Sequence, residues 1–159
     1  MGPSELLTLI AELAMALVAA AGIVTAIGGR DRDYAASDLA RIRSLIIMAA
    51  TPLAVALLAL SALSAELQPE RIWSSVSLVY LALGAARVAS TLPEFLRIPT
   101  DQAPSRRAVV VILLINVVVF GLLLYNAAFL QAFWPISVAC AFELLVGVWL
   151  VLRLLLGTR

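Results

Sequence analysis

The chain has 159 residues, of which 64% are hydrophobic and 13% are charged, and its formal net charge is +1. Soluble domains are about 45–50% apolar and about 25% charged, so this composition predicts a protein whose solvent is the lipid bilayer. The nearly balanced charge gives no indication of a nucleic-acid partner.

Five segments are long and apolar enough to cross the hydrocarbon core of a bilayer, which needs about 20 residues of α-helix. In chain order they are predicted at residues 5–28, 44–67, 72–91, 108–130 and 133–156. The prediction is an all-α, polytopic integral membrane protein in which residues 1–159 form a single transmembrane domain. The weakest turn signal is "YNAAFLQAFWP", which joins the fourth and fifth spans with few polar residues.

The positions of five prolines support these span boundaries, and Pro52 is an exception. Five fall at or near predicted junctions, where a residue without an N–H leaves no hydrogen bond unmade: Pro69, Pro93, Pro99, Pro104 and Pro135. Pro52 instead lies inside the second span, where it predicts a kink. We expect Thr51 or a neighbouring helix to satisfy the carbonyl that Pro52 frees.

The arginines indicate which way the chain crosses the membrane, because cytoplasmic loops are enriched in basic residues. With five spans, one side receives Arg30, Arg32, Arg41, Arg43, Arg97, Arg106, Arg107, Arg153 and Arg159. The other side has only Arg71, and Arg87 lies within a span. This predicts an external N-terminus, a cytoplasmic C-terminus and basic loops that contact anionic lipid headgroups. All the basic residues are arginine, which suggests a GC-rich genome and the inner membrane of a bacterium.

Small residues are frequent within the spans, and they allow helices in lipid to approach closely. They are Ala16, Ala19, Ala20, Gly22 and Ala26 in the first span, Ala50, Ala54, Ala56, Ala59 and Ala65 in the second, and Ala82, Ala86 and Ser90 in the third. We expect these faces to pack within one bundle. The alternative is that one of them is a seam with a second copy of the chain.

Four polar residues within the spans require an explanation: Glu12, Arg87, Asn116 and Glu143. A charge at the centre of a span costs on the order of 2.5–3.5 kcal/mol, and such residues normally face the bundle interior and pair. At about 1.5 Å per residue, Glu12 lies about 12 Å and Glu143 about 15 Å below the outer end. Asn116 lies near the level of Glu143, and Arg87 about one turn deeper.

Helical periodicity adds neighbours to this intramembrane polar cluster. Tyr80, Gly84 and Arg87 share a polar stripe of the third span, and Cys140 lies one turn before Glu143 on the fifth. Three interpretations stay open. In the first, Glu12 lies high enough to touch water outside, and Glu143 bonds Arg87 or Asn116 as a buried polar lock that fixes helix packing. Alternatively, the cluster lines a cavity for an ion, proton or small solute, or Glu143 meets a residue of another chain.

Catalytic residues, cofactors and metal sites are not predicted. The chain has no histidine and one cysteine, Cys140, so zinc sites and the usual nucleophile–base pairs lack their residues. Acid–base chemistry by Glu12 and Glu143 is the one enzyme hypothesis left. The predicted function is a structural or accessory assembly subunit, and the alternative is a transporter- or channel-like protein. Expected partners are the lipid bilayer and either a second copy or another membrane protein.

Overall fold

The computed structural model describes residues 2–28, 36–96 and 106–156. Within these ranges the chain forms no β-strand and five long helices: α1 Pro3–Gly28, α2 Ala36–Ser64, α3 Pro69–Leu96, α4 Arg106–Tyr125 and α5 Trp134–Leu156. A π-helical turn, Asn126–Leu130, extends α4. All five helices contain a stretch long and apolar enough to cross a membrane. The prediction of an all-α fold with five such helices is confirmed.

The helices begin and end at residues that supply or remove backbone hydrogen bonds. At the start of α1 the carboxylate of Glu5 accepts a bond of 2.9 Å from the N–H of Gly2, as in a capping box. Pro69 opens α3 and Pro135 lies in the first turn of α5, where a missing N–H leaves nothing unpaired. Shortly after α2, Glu66 adopts a left-handed φ of 54°, which helps to reverse the chain.

Helix α2 continues through Pro52. The hydroxyl of Thr51 donates to the carbonyl of Ile47 at 3.0 Å. A proline at this position frees the carbonyl of Met48, four residues earlier. The Thr51 hydroxyl therefore bonds the neighbouring carbonyl and not the freed one, so this part of the expectation was wrong.

Contacts between helices indicate that the chain runs alternately up and down. Ser74, near the start of α3, donates to the carbonyl of Ala127 just beyond α4 at 2.7 Å, so these two helices are antiparallel. Short connections between helices favour such neighbours. Far along α5, a Cβ added to Gly147 would lie 3.0 Å from Leu17 of α1 and 3.7 Å from Leu45 of α2. Below, the end of the bundle that contains Pro3 is called the N-terminal end.

Apolar packing is most extensive between α1 and α2, and both of these helices also pack on α5. The core joins side chains from all five helices, including Leu7, Ala14, Val55, Ala59, Ile72, Tyr80, Leu123, Ile136 and Leu144. At the N-terminal end the rings of Trp73 and Phe133 pack with their centroids 5.1 Å apart. The candidate span that begins in α4, Leu113–Leu130, is the least buried of the five, at 11%.

The small residues expected to pack inside the bundle lie largely on its surface. Ala16, Ala19 and Gly22 of α1 are exposed, and so are Ala82 and Ala86 of α3. Ala56 and Ala59 of α2 are buried as expected, and the interior faces of α1 and α2 also use Ala14, Ala21 and Ala49. The expectation that small-residue faces pack within the bundle was therefore wrong for these faces of α1 and α3, and the exposed face of α1 is considered further below.

Gly84 of α3 provides the space for the ring of Phe120 on α4. A Cβ at Gly84 would lie 2.6 Å from Cζ of that ring. We therefore expect Gly84→Leu to push α4 away from α3 and to lower the free energy of unfolding by about 1–3 kcal/mol, the usual cost of overpacking. Unfolding of the detergent-solubilised protein by increasing dodecyl sulfate measures this change.

A matched control for Gly84→Leu is available on α4. Nothing lies within 4 Å of a Cβ added to Gly121, so Gly121→Leu is expected to change stability by less than about 0.5 kcal/mol. Combining Gly84→Leu with Phe120→Ala should recover part of the loss. Equal stability of Gly84→Leu and the wild type would contradict this packing of α3 on α4.

Candidate functional site

A buried ion pair lies where α3, α4 and α5 meet. The guanidinium of Arg87 donates through Nη1 to Oε1 of Glu143 and through Nη2 to Oδ1 of Asn116, the latter at 3.3 Å. The side chains of Arg87 and Glu143 are 9% and 6% exposed. One cation thus connects α3 to both α4 and α5. We call Arg87, Asn116 and Glu143 the inner cluster.

The register of the helices explains how the inner cluster forms. The Trp73–Phe133 contact places the start of α3 level with the start of α5. Counted from that level, the backbone of Arg87 lies about one helical turn deeper than that of Glu143. An arginine side chain is long enough to span one turn, so the guanidinium reaches back to the carboxylate.

Two further polar groups border the inner cluster. The hydroxyl of Tyr80 and Oε2 of Glu143 are both buried and have no hydrogen-bond partner within the described part of the chain. Tyr80, Cys140 and Glu143 lie close enough to interact electrostatically. Glu143 thus has one oxygen bound by Arg87 and one acceptor still available.

Glu12, the fourth residue of the predicted cluster, is placed elsewhere. It lies on the exposed face of α1. Its carboxylate makes no hydrogen bond or ion pair with the inner cluster among the described residues. The structure therefore brings three of the four predicted residues together and leaves Glu12 outside.

A second polar site, not predicted from the sequence, is centred on Asn126 at the end of α4. Its fully buried side chain donates to Oγ of Ser77 at 2.8 Å and to the carbonyl of Ala132 at 3.0 Å. Its Oδ1 accepts from the N–H of Ala132 at 2.9 Å. One amide thereby closes the turn between α4 and α5 and also ties that turn to α3.

The tight turn between α4 and α5 is the sequence feature that identifies Asn126 as a structural residue. The chain reverses within a few residues, through a π-helical bond from the N–H of Gln131 to the carbonyl of Asn126 at 2.8 Å and a left-handed Gln131 at φ 48°. Such a turn in apolar surroundings leaves peptide groups that need a polar side chain. Asn126 is the asparagine that precedes it.

A shallow polar bowl of about 480 Å³ opens at the N-terminal end of the bundle. Its lining residues are Gln68, Glu70, Arg71, Ser74, Ser75 and Gln131. The inner cluster does not contribute to it. Arg71, the single arginine predicted on this side, therefore lies in an exposed, mixed-charge surface.

The basic residues predicted for cytoplasmic loops are only partly covered by the structure. Arg30, Arg32 and Arg97 lie outside the described residues. Arg43 is exposed near the start of α2, Arg41 also lies within that helix, and Arg106 and Arg107 open α4. In the part of the chain that is described, no three histidine, cysteine, aspartate or glutamate residues are grouped so that they could hold a metal ion.

The described helices define an all-α chain compatible with a multi-pass membrane protein. Comparison with known proteins adds no relative, since no protein-family model, curated protein or solved structure matches the chain. Function therefore has to be argued from the inner cluster, the Asn126 site and the exposed surfaces.

Proposed function

We propose that this protein is a multi-pass protein of a bacterial inner membrane that serves as a structural or accessory assembly subunit. The observation that carries the proposal is the buried contact of Arg87 with both Glu143 and Asn116. In this function the inner cluster is a polar lock that fixes α3, α4 and α5 in register. The unequal distribution of arginines supports an external N-terminus and a cytoplasmic C-terminus.

The distribution of contacts between helices supports a locking role. Helices α3, α4 and α5 contact one another less extensively than α1 contacts α2, and about half of the contact between α3 and the α4 segment is made by the π-helical turn. In lipid no hydrophobic force drives helices together, so hydrogen bonds and close packing have to specify their arrangement. The inner cluster and Asn126 supply polar bonds at two levels along α4. The Gly84–Phe120 contact lies between those levels.

The alternative function is transport of an ion, a proton or a small solute through the bundle. Its support is two buried atoms that have no hydrogen-bond partner among the described residues, the Tyr80 hydroxyl and Oε2 of Glu143. Two observations weigh against it. Glu12 lies on the outer surface of α1, and the polar bowl at the N-terminal end is lined by other residues. The proposed route thus lacks one of the four residues expected to line it.

Flux measurements distinguish the two functions. The purified protein, Glu143→Gln and Arg87→Gln are reconstituted into vesicles that contain a pH-sensitive dye, and a potassium diffusion potential is imposed. For a structural subunit, we expect all three samples to show only the leak of protein-free vesicles. The two variants should nevertheless unfold at lower dodecyl sulfate concentrations, because the lock is broken. A wild-type flux that Glu143→Gln abolishes would support transport instead.

A further inference from the structure

Helix α1 carries an exposed stripe that differs from an ordinary lipid-facing surface. Its members recur every three or four residues, and all are exposed: Glu5, Thr8, Glu12, Ala16, Ala19, Ile23 and Ala26. We call these residues the α1 stripe. Polar side chains occupy its first half and mostly small ones its second half. The exposed surface of α4, by contrast, is made of bulky aliphatic residues such as Leu114, Val117 and Val118.

Glu12 lies near the middle of the candidate span Pro3–Ile23. At about 1.5 Å per residue it is about 13 Å from the nearer end of that span. A glutamate side chain is too short to reach water over that distance, unlike the long side chains of lysine and arginine. No hydrogen bond or ion pair of Glu12 is found within the described part of the chain.

A carboxylate at this depth normally faces protein and pairs with an opposite charge or a hydrogen-bond donor. Glu12 faces away from its own bundle, so its partner has to come from outside. Ala16 and Ala19, on the same stripe, leave room for another helix backbone to come close. Close approach is what a short carboxylate needs in order to contact a side chain on a second helix.

We propose that the α1 stripe binds a transmembrane helix of a different membrane protein, one that carries an arginine or lysine near its middle. The inference deepens the proposed function, on which it rests, by giving the accessory subunit a defined partner surface. Charge complementarity selects the partner: Glu12 offers an uncompensated negative charge at mid-span, and the stripe offers no cation. The partner's basic residue would gain the counter-charge that it also needs in lipid.

A second copy of this chain fits the α1 stripe less well. Among the described residues of the five candidate spans, no cation lies near the middle of a span: Arg43 and Arg71 lie within two residues of a span start, and Arg87 lies three residues before the end of Pro69–Ser90. The Arg87 side chain is 9% exposed and is bound to Glu143. A symmetric α1–α1 contact would instead bring two Glu12 carboxylates together at one depth, which is repulsive unless a proton is shared.

Synthetic helices test the proposal with the full-length protein. The protein is labelled with a fluorescent donor and reconstituted into phosphatidylcholine vesicles. An acceptor-labelled peptide of about 21 leucine and alanine residues is added, with arginine, leucine or glutamate at its centre. We expect the arginine peptide to give half-maximal energy transfer at a peptide-to-lipid ratio about tenfold lower than the leucine peptide, since buried charge pairs are favoured in lipid.

Two variants of the α1 stripe should abolish this preference by different routes. Glu12→Gln removes the charge while keeping the size, and Ala16→Leu keeps the charge but blocks the approach of a helix. The control is Ala86→Leu on α3, an exposed position on a small-residue face without an acidic residue at its centre, which should leave the preference intact. A peptide with its arginine near one end should bind no better than the leucine peptide.

Equal binding of the arginine and leucine peptides would overturn the proposal, and so would a preference that survives in both stripe variants. Energy transfer between copies of the protein that requires Glu12 and no peptide would overturn it in favour of a second copy. The proposed function has a separate readout. A Glu143-dependent flux would contradict the proposed function whatever the result with the peptides. A failure of peptide binding alone would contradict the binding surface on α1 but not the polar lock.

Discussion

Replacing Arg87 by leucine is expected to lower the free energy of unfolding by about 3–5 kcal/mol, the cost of breaking a buried ion pair by removing one partner. The substitution leaves the carboxylate of Glu143, 6% exposed, without its counter-charge, and removes the hydrogen bond to Asn116. Dodecyl sulfate titration of the solubilised protein, followed by circular dichroism, measures the change. This is the largest effect we expect from any single substitution in the chain.

The double variant Arg87→Leu with Glu143→Leu distinguishes two causes of destabilisation, an unpaired buried charge and the loss of side-chain packing. When both partners become apolar, no buried charge is left, and such replacements are often neutral or stabilising. We therefore expect the double variant to recover most of the stability lost by Arg87→Leu. Asn116 would still lack its arginine donor, so recovery should be incomplete by about 1 kcal/mol. A double variant no more stable than Arg87→Leu would contradict this prediction, and Glu143→Leu alone completes the cycle that measures the coupling of the two residues.

The number of helices and the level of the inner cluster could be predicted from the sequence. In lipid a long apolar run can form only a few structures, so the number of spans can be counted from the apolar runs in the sequence. The rise per residue then places Arg87, Asn116 and Glu143 near one depth. Because a buried charge has to pair, the similar depths predicted that Glu143 bonds Arg87 or Asn116, but they did not decide between these partners and did not exclude Glu12.

The direction in which each helix faces could not be predicted in the same way. In a soluble helix, polar residues mark the exposed side. In a helix surrounded by lipid both sides are apolar, so periodicity gives little information on which side faces the bundle. This is why Ala16 and Ala19 were expected inside and are exposed. Glu12 was grouped with the cluster because charged residues within a span normally face the bundle interior, whereas the structure leaves it exposed.

The role of Asn126 was missed for another reason. Its partners are the backbone N–H and carbonyl of Ala132, six residues later, and the hydroxyl of Ser77, 49 positions earlier in the chain. Sequence spacing identifies pairs on one helix, but it does not identify a side chain that completes a turn and also bonds a third helix. Only the fold brings these groups together.

Asn126→Leu is expected to lower the free energy of unfolding by about 2–4 kcal/mol. The substitution leaves the N–H and carbonyl of Ala132 without the side-chain partner they have now, and each buried unsatisfied group costs about 1–3 kcal/mol. A cysteine pair across the α3–α4 contact, at Ser74 and Ala127, should also cross-link more slowly in the variant, because Asn126 holds the turn against α3. Both effects should be absent in Gln131→Gly, which keeps the left-handed turn at φ 48° without its side chain. If Asn126→Leu and Gln131→Gly unfold at the same dodecyl sulfate concentration as the wild type, the turn is held by apolar packing and not by the amide.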